Sequence, residues 1–219
     1  MNAKVARSAG ASAIGFVVLV VITIIISGSP PASDADKIEK IREYFIDHRG
    51  AILTGGVLQL LAVPLVIWFF VNVRQAVRGG DAATNALGMA AVAGIVLGGA
   101  CALGGQAAIG STVWTKGFGE SLSDDVVLVV YNLQSLLFVS ASAGIGLAAG
   151  ASAWAGKRTG ALPAASVWLG ALAVVGNLVA IFSFLGSGAL VLGLAGIVTF
   201  LLFLLVTGVW MIRQGAAIA

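Results

Sequence analysis

Ionisable side chains are scarce in this chain. Asp, Glu, Lys and Arg make up 10% of its 219 residues, less than half of the roughly 25% usual in a soluble domain. With 59% hydrophobic residues, a soluble fold of this length could not hide its apolar surface. The positions of the absences exclude more. No Asp, Glu, Lys, Arg or His lies deep inside any long apolar run. Proton- and ion-coupled transporters place an ionisable group within the membrane. Haem-binding bundles need axial ligands, and intramembrane proteases need a nucleophile–base pair or paired aspartates. The runs offer none of these.

Cysteine and histidine occur once each, as Cys101 and His48. One cysteine allows no intrachain disulfide and no cysteine metal cluster, and Cys101 reads as a small core residue. A lone histidine without a partner set points to no metal site and no catalytic base. No P-loop or dinucleotide fingerprint stands at a strand-to-helix junction, so no metal or cofactor is expected. Gly186, Ser187 and Gly188 fall in a turn between spans. The net charge of +3 reflects basic residues beside the apolar runs and points to no nucleic-acid partner.

What the chain has in quantity is apolar sequence and glycine. Stretches of about 18 or more apolar residues read as transmembrane helices. In a bilayer only helices and closed barrels satisfy their own backbone groups, and unbroken rather than alternating runs favour helices. A shorter run at about 11–26 and five of that length, at about 51–73, 86–108, 126–149, 164–184 and 188–212, are read as six spans. The first follows Lys4 and Arg7 like a signal peptide. Its length, and Pro30 just after the small-residue site at 27–29, favour an uncleaved span. Pro64 interrupts the second run and predicts a kink, and Trp68 sits where an interfacial anchor belongs. The last two runs are separated only by "LGSG" and predict a tight hairpin.

With six spans, Lys4, Arg7, Arg74, Arg78, Lys157, Arg158 and Arg213 all fall on one side. Asp34, Asp36, Glu39, Glu43, Asp47, Glu120, Asp124 and Asp125 fall on the other. The positive-inside rule makes the basic side cytoplasmic, with both termini there. The expected location is a membrane that the chain crosses six times.

Residues 28–50 form the longest polar connector. Pro30 and Pro31 stop the first span. Ser33, Asp34 and Asp36 resemble a helix start, and Ile38, Ile41, Tyr44 and Phe45 recur at helical spacing. Gly50 reads as the helix end. The pattern predicts an amphipathic outer helix over about 34–48, lying on the bundle or in the interface. It is either a lid or docking surface, or a connector shielding the span ends. His48 is either part of that site or a solvated residue beside Asp47 and Arg49.

Glycine, at 30 residues, costs about 1 kcal/mol against alanine in a soluble helix but lets membrane helices approach closely. Ala90, Gly94, Gly98 and Ala102 lie four apart, with Gln106 continuing the row. Ser140, Gly144 and Ala148 repeat the device. These stripes predict close packing, within the chain or against a second copy. The fourth span starts with Ser123 as an expected N-cap, then Asp124 and Asp125 in the first turn. Tyr131, Gln134, Ser135, Phe138 and Ser142 share a face, with Asn132 beside it. These groups need partners in hydrocarbon. They form either a polar pocket completed by Gln59, Gln106 and Trp114, or interhelical hydrogen bonds. Asn177, alone in the fifth span, poses the same choice.

The stretch "YFIDHRGAILTGGVLQLLAVPLVIWFFVNVRQAVR" resembles the outer-helix, second-span and basic-exit segment of a family of bacterial, chiefly actinobacterial, integral membrane proteins of unknown function. "SLSDDVVLVVYNLQSLLF" is similar to that family's fourth-span start. "KRTGALPAASVWLGALAVVGNLV" resembles its Arg-Thr-Gly-x-Leu-Pro turn and the span that follows. The chain departs at Ala164 and Ala165, where the family has a bulkier, more basic pair. The resemblance implies a six-span fold and a bacterial source, and carries no activity or catalytic residues.

The expectation is an all-α polytopic transmembrane bundle of six spans, one domain, with an outer amphipathic helix. The expected function is non-enzymatic binding of a partner protein or a small apolar or lipid-like ligand near the outer leaflet. His48, Arg49, Gln106, Trp114, Tyr131, Asn132 and Gln134 are its candidates, and Gly94, Gly98, Ala102 and Gly144 are expected packing positions. The alternative is a small permease for an uncharged or amphipathic solute, which a water-filled interior would favour and a dry one would not.

Overall fold

The computed structural model describes residues 2–28, 38–182 and 190–217. Among them eight helices follow one another: α1 (Ala3–Ser27), α2 (Ile38–Asp47), α3 (Arg49–Ala76), α4 (Ala82–Val113), α5 (Phe118–Ser121), α6 (Asp124–Thr159), α7 (Ala164–Ile181) and α8 (Leu190–Ala217). Six of these, all but α2 and α5, are long and apolar enough to cross a bilayer. The chain is a helical bundle, as its composition requires.

Local chemistry sets several boundaries. The Asn2 side chain accepts from the Val5 amide at 2.9 Å and opens α1. Asp81 accepts from the Thr84 amide at 2.8 Å and from its hydroxyl at 2.7 Å, opening α4. Those bonds, with Arg158 nearby, hold the Asp81 carboxyl below its usual pKa. Gly160, at φ 67°, closes α6 in the left-handed conformation that suits glycine.

The helices run past the expected limits. At about 1.5 Å per residue, α4 with 32 residues and α6 with 36 reach about 48 and 54 Å, beyond a hydrocarbon core of about 30 Å. Hydropathy marks where lipid ends, whereas the backbone ladder continues through Ala, Gly and charged residues. Gly50 does not end the outer helix. The chain turns at His48, with φ −100° and ψ 16°, a conformation that needs no glycine, and Gly50 lies in the first turn of α3. Ser123 occupies the N-cap position of α6 but makes no side-chain capping bond. α3 runs through Pro64 as one helix. The expected start of the outer helix at 33–36 and the "LGSG" turn lie outside the described residues.

The six spans form a ring. Each packs against its chain neighbours, and α1 closes on α8. Glycine lines the seams. A Cβ on Gly94 would stand 2.7 Å from the Gly144 carbonyl oxygen, so α4 and α6 meet backbone to backbone. Gly176 meets Gly196 between α7 and α8, and Gly10 meets Gly208 between α1 and α8 in the same way. The small-residue stripes thus pack within the chain. Gly98 lies against Ala141 and Ile145 of α6, and Ala102 is half-buried. The row does not continue to Gln106. Four-residue steps drift by about 40° each around a 3.6-residue helix, so Gln106 faces α3 and Gly105 meets α6 instead.

The interior is packed with side chains. Phe69 and Phe70 of α3 meet Phe200 and Phe203 of α8, helices that are not neighbours in the ring. Phe70 and Phe200 stack with centroids 6.2 Å apart, and Phe69 and Phe203 meet edge-on at 6.5 Å. Phe69, Phe70, Phe203, Leu204 and Met211 are fully buried. A second, separate cluster lies under α2 at the acidic end.

Candidate functional site

The acidic end is organised by α2. Its apolar positions Ile41, Tyr44 and Phe45 are buried against Ile52, Ile109, Val113, Val127 and Tyr131. This face was legible as helical spacing, and the structure seats it on α3, α4 and α6 rather than in lipid. Polar bonds pin the helix down. Tyr44 donates its hydroxyl hydrogen to the Ser27 carbonyl of α1 at 3.1 Å. Arg42 donates to the Gly119 carbonyl at 3.0 Å and pairs with Asp124 at 2.6 Å. Burial raises the Tyr44 pKa above its ordinary value.

The sequence candidates divide sharply here. Arg49 donates from Nε to the Val113 carbonyl at 2.8 Å and from Nη2 to the Trp114 carbonyl at 2.9 Å. It caps the C-terminal end of α4, where unpaired carbonyls concentrate negative charge. His48 stacks on Tyr44 with centroids 4.7 Å apart, and its Nδ1 is buried without a hydrogen-bond partner among the described residues. Gln106 donates to the Ile52 carbonyl at 2.7 Å, tying α4 to α3. Tyr131 is buried and packs on Phe45 with centroids 6.2 Å apart. Asn132 and Gln134 are half-buried one and three residues further along α6. Trp114 stands apart, with its side chain 75% exposed.

The candidates therefore do not converge on one polar pocket. His48, Arg49 and Tyr131 are spent on holding the cap, and Gln106 on tying α4 to α3. Ser135, expected to face a pocket, bonds back to its own helix at the Tyr131 carbonyl at 3.0 Å, as Ser140 of the packing stripe does to the Leu136 carbonyl at 2.8 Å. Asn177 does bridge helices, donating to the Ala173 carbonyl at 2.8 Å and to Gly196 of α8 at 3.3 Å. Gln59 Oε1 is buried without a partner among the described residues. Among those residues no three His, Cys, Asp or Glu side chains gather as a metal set.

Sequence reasoning passed over the basic end. There a groove of about 530 Å³ runs along the seam of α6 and α7, lined by Gly150, Ala153, Trp154, Lys157, Ala164 and Trp168 among others. Nothing in a linear reading pairs Trp154 with Trp168 across a turn, although both lie near the basic pair Lys157 and Arg158, where interfacial aromatics belong.

A ring of six apolar helices with a pinned polar cap is the architecture of a multi-pass membrane protein. Compared with protein-family models, curated proteins and solved structures, the chain finds no match.

Proposed function

We propose that this is a non-enzymatic protein of a bacterial cytoplasmic membrane, with both termini on the cytoplasmic side, whose outer cap docks a second molecule. The observation that carries this reading is the division of labour on α2. Its buried side is filled and its inward polar groups are bonded to three other helices, α1, α5 and α6, so the cap is a fixed surface. What remains outward is Glu39, Lys40, Glu43, Ile46 and Asp47, with Trp114 nearby, all exposed. Such a mixed, rigid face with a large exposed aromatic suits a protein partner better than a ligand, because the cap core beneath it is a cluster of buried side chains. A lipid-like ligand would have to lie on the cap. The clustering of basic residues at the opposite end supports the orientation, and the resemblance to the actinobacterial six-span family supports the source.

The permease reading needs a path through the ring. The four phenylalanines that meet across the interior would have to part, so the filled interior supports docking over transport.

Native mass spectrometry of the protein extracted with its surrounding lipid tests this. The expected result is a second polypeptide of defined mass, retained by the native chain and lost with Trp114→Ala combined with Lys40→Glu. A bound small molecule lost with the same variant would shift the reading to a ligand. A bare monomer would overturn both.

A further inference from the structure

We propose that the groove between α6 and α7 binds an anionic phospholipid from the leaflet at the basic end. This does not rest on the docking reading, only on the chain crossing a bilayer. The groove is apolar along its length and cationic at its mouth. Gly150 and Ala153 form the floor on the α6 side, and Ala164 and Ala171 leave the α7 side shallow. Trp154 and Trp168 line it and are 56% and 71% exposed. Between Ala164 and Val174, ten residues of helix span about 15 Å, half of a hydrocarbon core of about 30 Å. That length matches one acyl chain in one leaflet.

The mouth supplies the charge. Lys157 is exposed, and its Nζ lies 5.7 Å from the centroid of the Trp154 ring. No carboxylate pairs with it among the described residues, whereas neighbouring Arg158 is held by Asp81 at 3.3 Å. An ammonium at the interfacial end of an apolar groove calls for a phosphate attached to a hydrocarbon chain, which is a phospholipid and not a free anion. The start of α7 adds to this attraction, since Pro163 offers no side-chain cap to its first amides. A zwitterionic lipid brings its own cation to the mouth, so a net negative headgroup fits better.

The test uses the full chain in nanodiscs of phosphatidylcholine and phosphatidylglycerol, with retained lipids counted by native mass spectrometry. Retention of one phosphatidylglycerol in preference to phosphatidylcholine is expected. Lys157→Gln should weaken that preference on the order of fivefold, given the effect of one lysine near a charged surface. Ala171→Phe, at an exposed position, should fill the groove and remove the retained lipid of either kind. Unchanged melting of both variants keeps the reading separate from misfolding. Equal retention of the two lipids, no response to Ala171→Phe, or a dimer in which a second copy covers Trp154 and Trp168 would each overturn the proposal.

Discussion

The phenol of Tyr44 donates to the carbonyl of Ser27 at 3.1 Å, and this bond joins the outer helix to the end of the first span. Burial raises the Tyr44 pKa above 10.0, because the phenolate loses its hydration there. The neutral form is favoured in the folded state. Its stabilisation is therefore fully present below pH 10.0 and is lost as pH climbs through the raised folded value. Tyr44→Phe should cost about 1 kcal/mol at neutral pH and flatten part of the alkaline loss. Thermal melts of both proteins across the alkaline range check this, and parallel pH profiles would count against it.

The seam between α4 and α6 tolerates no side chain at Gly144. A Cβ there would meet the Gly94 carbonyl and the Gly98 amide, and would stand 2.8 Å from the Gly98 Cα. Both neighbours are backbone and cannot swing away. Gly144→Ala should destabilise the bundle by about 1–3 kcal/mol. Gly110→Ala, with nothing within 4 Å, should be neutral or gain up to about 1 kcal/mol. Unfolding in mixed micelles reads the contrast.

Arg49 closes α4 by donating to two carbonyls at once. Arg49→Ala should cost about 1.5–3 kcal/mol, and Arg49→Lys should recover only part, since an ammonium lacks the planar fork. Hydrogen exchange should rise over α2 and residues 114–121 and stay unchanged in α7. A rise spread evenly over all spans would contradict a local cap.

Asn72 is fully buried in α3. Its Nδ2 donates to the Trp68 carbonyl at 2.8 Å, and its Oδ1 has no partner among the described residues. Replacing an imperfectly satisfied amide by an apolar group of similar size is close to neutral or favourable. Asn72→Leu should change stability by less than about 1 kcal/mol, and Asn72→Asp should lower it by several. A large loss in Asn72→Leu would reveal a second bond to Oδ1.

The spans, the polar asymmetry of the two ends and the apolar face of α2 were legible because each is a one-dimensional pattern. Burial of Ile41, Tyr44 and Phe45 follows from spacing alone. Partner identity was not legible. Gln106 continues a four-residue row on paper but has turned away from α6 by the fourth step. Gly50 reads as a helix end, yet His48 makes the turn with ordinary backbone angles. Trp114 reads like its polar neighbours and stands outside them. Trp154 and Trp168 lie on two helices, and only the fold shows that they line one groove.

The ring order carries a consequence for synthesis. Each span meets the one made just before it, so helical hairpins can settle in succession as the chain leaves the ribosome. One seam breaks that sequence. α1 is made first and closes on α8, made last, through Gly10 and Gly208. The two faces of α1 are thus covered at opposite ends of translation, the α3 side early and the α8 side only after every other span is in place. The α8 side of the first helix is the surface that a membrane insertase or chaperone would have to shelter longest.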